Sequence, residues 1–217
     1  MKAIVYHSYG PPDVLKCEEI EKPTAGDNEV LIKVRAAALN PADLLFRGTS
    51  YMVRIMTGLR KPKETRIGHD VAGQVEAVGR NVTQFKPGDA VFGTCKGAFA
   101  EYVCASESAV VVKPDNVTFE QAASVPIAAL TALQGLRLGG LGDKGHIQPG
   151  QKVLINGASG GVGTFAVKIA KSFGADVTGV CSTKMWTWCD RSAQSRSLTI
   201  LGRISLKAGR VTTNDTI

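Results

Sequence analysis

Gly157-Ala158-Ser159-Gly160-Gly161-Val162-Gly163 is a run of small residues spaced to hold a phosphate. Glycines let the backbone turn tightly and approach a pyrophosphate closely. A helix that opens at such a turn adds N–H groups without intrahelical partners and the positive end of its dipole. The flanking residues suit this chemistry. Val153-Leu154-Ile155-Asn156 reads as an apolar strand, residues 164–173 as a helix and residues 176–181 as a second strand. Strand, glycine turn, helix and strand form the context that a dinucleotide-binding fingerprint requires. A plain tight strand–helix turn is the alternative. Ala158, Ser159, Gly160, Gly161, Val162 and Gly163 are therefore the candidate cofactor-binding residues.

The end of the second strand speaks to the choice of nucleotide. An Asp or Glu at that point hydrogen-bonds the ribose 2′-OH of an unphosphorylated cofactor. Here the strand runs into Ser182-Thr183-Lys184, which carries hydroxyls and a cation but no acid. Ser182 and Lys184 suit a 2′-phosphate, so the expected cofactor is NADP(H). The competing reading makes Lys184 an ordinary solvated lysine.

The elements that would position these residues fall into two blocks. Residues 3–6, 30–37, 71–78, 90–92, 98–104 and 109–113 read as strands. Gly10-Pro11-Pro12, Gly26-Asp27-Asn28 and Lys86-Pro87-Gly88-Asp89 punctuate them as turns. Thr118 then stands three residues before Gln121, the spacing of a capping box. An apolar helix over 127–138 and a glycine-rich loop over 139–145 lead to the first strand of the nucleotide unit. The expected division is 1–120 for a β-rich domain, 121–184 for the start of a nucleotide-binding domain and 185–217 for a separate tail.

Charge narrows the class further. The net charge is +7, but residues 184–217 alone hold six Lys and Arg against two Asp and Glu. No basic stripe with interleaved aromatics runs through the rest, which argues against nucleic acid as a partner. No apolar run approaches the length of a membrane span, so no membrane partner is expected. The five cysteines are scattered without metal-ligand spacing. They read as reduced thiols in a cytoplasmic protein.

Several motifs in order now carry a resemblance: Leu39-Asn40-Pro41-Ala42-Asp43, Gly68-His69-Asp70-Val71-Ala72-Gly73, Phe85-Lys86-Pro87-Gly88-Asp89, Gly97-Ala98-Phe99-Ala100-Glu101-Tyr102, Leu130-Thr131-Ala132-Leu133 and the glycine turn. Over residues 1–184 the chain resembles the medium-chain dehydrogenase/reductase superfamily, in its zinc-independent quinone-oxidoreductase branch. The resemblance implies an α/β plus β fold, with a GroES-like β-barrel catalytic domain followed by a Rossmann domain, here incomplete. It implies hydride transfer from a nicotinamide to a small-molecule quinone, enone or similar carbonyl acceptor. It also raises a family-like homodimer, which the loss of half a Rossmann sheet works against.

Zinc-dependent relatives carry a cysteine where this chain has Asn40 and a glutamate where it has Asp70. An amide is a poor zinc ligand, so no metal is expected. His69 then reads as a structural histidine, and Asp43 as a cap or turn residue. Without a Lewis acid, acceptors already activated by conjugation are favoured. Asn40 and Thr131 are the candidate catalytic residues. Asn40 would hydrogen-bond the substrate or the nicotinamide ribose, and Thr131 would contact the nicotinamide. The alternative for Thr131 is a mid-helix hydroxyl bonded to its own backbone.

The resemblance stops at Lys184. Met185-Trp186-Thr187-Trp188-Cys189 shows no strand or helix period. Met and Trp each have a single codon, so the neighbouring reading frame is partly dictated. That frame permits a helix ending in Gly-Ala and then an apolar-Asp-Tyr strand, which is what the family has at this point. The expectation is that 185–217 are an out-of-frame reading of a longer gene, with the activity of this shortened chain in doubt. Two other readings stay open. One is a module that binds a nucleotide or a partner without chemistry, and the other is a fragment that folds poorly. A zinc-type alcohol dehydrogenase is an alternative in family name only.

Overall fold

The computed structural model describes residues 1–45, 51–139, 147–182 and 197–199. The chain divides into two compact units, Met1–Leu130 and Thr131–Ile217.

The first unit is built on a five-stranded antiparallel sheet: β3 (Glu29–Ala38), β4 (Asp70–Val78), β5 (Ala90–Thr94), β6 (Tyr102–Ser106) and β7 (Val110–Val112). Their order is β6-β3-β4-β5-β7. A two-stranded ribbon of β1 (Lys2–Val5) and β2 (Lys16–Glu19) joins it through isolated bridges from Ala3 to Ala100 and Val5 to Arg66. Five of the expected strands lie within two residues of where the sequence puts them. The sixth, expected over 98–104, begins only at Tyr102, because residues 98–101 bond the first strand and the Gly68 turn instead. The strand β2 went unread: Lys16-Cys17-Glu18-Glu19 has no apolar alternation. Branched apolar residues build the core, with Val30, Ile32, Val71, Val91 and Val103 all wholly buried.

Two short helices follow β3: α1 (Pro41–Leu45) and α2 (Tyr51–Thr57). The register of β3 against β4 pairs Ala38 with Asp70. Chain leaving β3 therefore passes beside the first residue of β4, and this delivers Asn40 to the Asp70 side chain.

The helix α3 (Phe119–Ala123) starts as the capping box predicts. The Gln121 N–H donates to Thr118 Oγ1 at 3.2 Å, and the Thr118 N–H donates to Gln121 Oε1 at 2.9 Å. The helix α4 (Pro126–Gly139) matches the expected apolar helix. Residues 140–145 of the expected glycine loop lie outside the described residues.

The second unit contains β8 (Lys152–Asn156), α5 (Gly161–Ser172) and β9 (Asp176–Cys181), the expected β-α-β. The helix begins three residues earlier than expected, at Gly161 rather than 164. The glycines were read as turn, and the last two of them already have helical backbone. Ala166, Val167 and Ala170 of α5 pack with Ile155 and Val177. The third strand, β10 (Ser197–Thr199), lies parallel to β9, giving the order β10-β9-β8. The sequence gives residues 185–189 no strand or helix period, and these three later residues of the same tail form a strand. The neighbouring frame permits Val-Ile-Asp across these same positions. The rest of 183–217 lies outside the described residues.

Burial distinguishes the two sheets. Ile32 is wholly buried, whereas Leu154 on β8 is 64% exposed. Parallel strands normally need cover on both faces. We expect Ile32→Ala to cost about 2–5 kcal/mol in urea unfolding, and Leu154→Ala to stay within about 0.5 kcal/mol. Equal losses would contradict this assignment of the core.

Candidate functional site

The first unit holds a closed polar cluster around two acids that are both wholly buried, Asp43 and Asp70. Asn40 leaves β3 and turns into α1. Its backbone N–H donates to Asp43 Oδ2 at 2.8 Å, and its side-chain amide donates to Asp70 Oδ2 at 3.0 Å. The second Asp70 oxygen accepts the Ile127 N–H at 3.1 Å, at the start of α4. On the other side, Asp43 Oδ1 lies 2.6 Å from His69 Nδ1. Four side chains from two stretches of sequence, with the Ile127 backbone from a third, thus share one network.

Its electrostatics follow from burial. Asp70 is pushed above the ordinary carboxylate range, first by desolvation and then by the neighbouring Asp43 charge. The bonds from Asn40 and Ile127, together with His69, oppose that rise. Cys95 follows β5 and donates its N–H to the His69 carbonyl at 2.8 Å. Burial, and then the Asp70 charge, pushes its thiol up to about 12. A thiol so far from ionising is a weak nucleophile and a weak metal ligand at neutral pH. Tyr102, Val103 and Cys104 continue the same sheet, and burial also raises the Cys104 thiol.

Donor chemistry around Asn40 offers little to a metal. Among the described residues no group of three or more His, Cys, Asp and Glu is arranged to hold one. The Asp70 oxygens and the His69 Nδ1 already have partners.

The second unit carries the other candidate residues. Gly157 takes a left-handed backbone, with φ of 74°, and ends β8. The N–H groups of Gly157 and Ala158 both donate to the Val180 carbonyl, at 2.9 and 3.0 Å. This places the turn beside the end of β9, two residues before Ser182, which is exposed. Ala158 is buried in the core of the unit. Gly163 packs so closely that a Cβ there would strike the Gly157 carbonyl and come within 2.8 Å of the Ala158 Cα. Gly161 is the opposite case, since a Cβ there would meet nothing within 4 Å. Gly160 caps α5 without a side-chain bond, and no side chain among the described residues caps the first N–H groups of the helix. Val162 is 41% exposed and Ser159 is half-buried. A close-packed glycine beneath, open space above and uncapped N–H groups make a cradle that fits a pyrophosphate.

A family model for the alcohol dehydrogenase GroES-like domain matches residues 26–115. A quinone oxidoreductase of Pongo abelii is 38% identical over 188 residues, covering 85% of this chain and 54% of that protein. The chain belongs to the medium-chain dehydrogenase/reductase superfamily. Within it, the chain falls in the quinone-oxidoreductase-like branch. The solved quinone oxidoreductase of Coxiella burnetii superposes with a TM-score of 0.79 at 34% identity, covering 92% of this chain and 62% of that one. The Escherichia coli quinone oxidoreductase complexed with NADPH gives a TM-score of 0.77 at 25% identity, covering 92% and 58%. The chain therefore spans about half the length of the curated relatives it matches.

The structure brings Asn40 to Asp70, and the glycine turn to the end of β9 beside Ser182. Thr131 stands exposed on α4. Lys184 lies outside the described residues. Sequence reasoning missed the Asp43–His69 pair and the joining of Asp43 to Asp70 through Asn40. Residues 26 and 30 apart in sequence give no local sign that they meet, although two acids within family motifs are a cue.

Asp70 has a raised folded-state pKa, so its carboxylate costs stability once pH rises above the usual value of 3.8. Stability attached to the protonated form is present at low pH and lost as pH climbs through the folded value. Replacing Asp70 by Asn removes that titration. The difference in unfolding free energy between Asp70→Asn and wild type should shift in favour of the variant as pH rises from 4 towards neutrality. A pH-independent difference would contradict the burial argument.

Proposed function

We propose that this chain carries the substrate-side and cofactor-binding front part of an NADP(H)-dependent reductase of quinones, enones or similar conjugated carbonyls, working without zinc. The glycine turn carries this reading, because Gly161 leaves open space directly at an uncapped helix start. The NADPH complex of a structurally similar quinone oxidoreductase supports the choice of nicotinamide cofactor.

The N–H groups at the start of α5 would bind the pyrophosphate, with Gly160 and Gly161 keeping side chains out of its path and Gly163 letting the helix pack on the turn. Ser182, with no acid beside it, would accommodate a 2′-phosphate together with Lys184. A nicotinamide held there would supply the hydride. Asn40 has one amide N–H fixed by Asp70, and this orients the remaining amide groups towards a substrate oxygen or the ribose. Asp70 has both oxygens committed, so it positions Asn40 rather than transferring protons. The donor set argues against zinc: an amide replaces the thiolate, and the neighbouring His and Asp are bound to each other. Thr131 is retained as a contact to the nicotinamide. Cys17, Cys95, Cys104 and Cys181 are free thiols, which fits the proposed cytoplasmic location.

A Val at 161 would project into open space, so it should fold normally. We expect Gly161→Val to leave the melting temperature unchanged while weakening NADPH binding at least about ten-fold, the scale of one lost charge-assisted contact. Undiminished NADPH binding would remove the glycine turn from the site, and no binding by the wild-type chain would overturn the reading.

A further inference from the structure

A cavity of about 340 Å³ lies within the first unit, and the residues around it have a chemistry that the reductase reading leaves unexplained. Lys63, Arg66 and Lys96 line it, against a single carboxylate among the described residues, Glu64. Glu64 is already spent: its Oε1 accepts from the Arg66 Nε at 3.2 Å. Neither Lys63 nor Lys96 has a side-chain hydrogen bond or ion pair among the described residues. Part of the lining is apolar, with Ile67 and Tyr6 both buried. Cations concentrated in a concave, partly apolar pocket raise the local concentration of anions.

Arg66 gives the cavity its selectivity. Its stem lies over Gly97, where a Cβ would come within 2.8 Å of the Arg66 Cβ and 3.2 Å of its Nε. The backbone of Arg66 is pinned by the isolated bridge to Val5. The stem is thus held from below, and Glu64 holds the guanidinium through Nε. Both terminal amino groups of the fork are left without an acceptor among the described residues. Such a held fork matches a carboxylate in two parallel bonds. Arg66, His69 and Lys96 also line a second, larger cavity of about 680 Å³, so the two cavities share these residues.

We propose that the cavity is a subsite for a small carboxylic acid with an apolar body, its carboxylate on Arg66 with Lys96 and Lys63 beside it, and its body against Ile67 and Tyr6. This deepens the reductase reading, and rests on it, by making the preferred acceptor a conjugated carbonyl compound that also bears a carboxylate. The size suits a ligand of one ring or a short chain.

Calorimetric titration of the full chain, without cofactor, tests this with benzoate, phenyl phosphate and benzyl alcohol as probes. Benzoate should bind saturably, at least ten-fold more tightly than benzyl alcohol and more tightly than phenyl phosphate. Arg66→Met should weaken benzoate at least ten-fold, and Arg66→Lys should not restore it fully, because a lysine lacks the fork. Lys96→Met, an exposed position that leaves folding intact, should weaken it several-fold. Benzoate binding no better than benzyl alcohol overturns the proposal, as does unchanged affinity in Arg66→Met and Lys96→Met. Tighter phenyl phosphate overturns it in favour of a phosphate site. A parallel NADPH titration judges the reductase reading on its own, since none of these variants touches the glycine turn.

Discussion

A buried carboxylate must have its oxygens satisfied, and the first unit is arranged around that requirement at Asp70. Stripping water from an ionised acid costs several kcal/mol unless hydrogen bonds replace it. Asp70 begins β4 in the middle of the sheet, between β3 and β5. Its partners come from the turn after β3 and from the first residues of α4. The acid therefore ties together three stretches of chain distant in sequence. It also holds the amide of Asn40 in one orientation, which a side chain needs if it is to direct a reacting molecule. Asp43 extends the arrangement to His69, so a change at any one of these residues would leave another buried polar group without its partner.

The second unit obeys a different constraint, one of space rather than charge. Gly163 is required because the turn returns onto the Gly157 carbonyl, and Gly161 is required only if something must approach from outside. That contrast between a crowded glycine and an uncrowded one separates packing from binding within a single motif. The turn and its helix are local in sequence, which is why they form in a unit that holds only three described strands.

Local features were legible in the sequence. The capping box at Thr118 and Gln121, the β-α-β at 152–181 and most strands of the first sheet rest on short-range patterning and turn chemistry. What escaped depends on register. Asn40 meets Asp70 because Ala38 pairs with Asp70 across a ladder that contains two irregularities, and no periodicity encodes such offsets. His69 was read as structural, and its Nδ1 does rest on a buried acid, but its place on the walls of two cavities could not be seen from Gly68-His69-Asp70 alone. The strand β10 is instructive in another way. Its residues, Ser197–Thr199, carry little strand signal, yet they lie where a third parallel strand belongs beside β9.

The central claim is hydride transfer by a site organised around Asn40 and Asp70 without a metal. Its most direct test is deuterium transfer from 4-deuterated NADPH to a quinone or enone, using chelator-purified protein, both as this chain and with the proposed frame change made after Lys184. The account predicts deuterium in the reduced product, at a rate that added chelator leaves unchanged. Transfer that appears only when zinc is supplied, or no transfer to any conjugated acceptor, would contradict it.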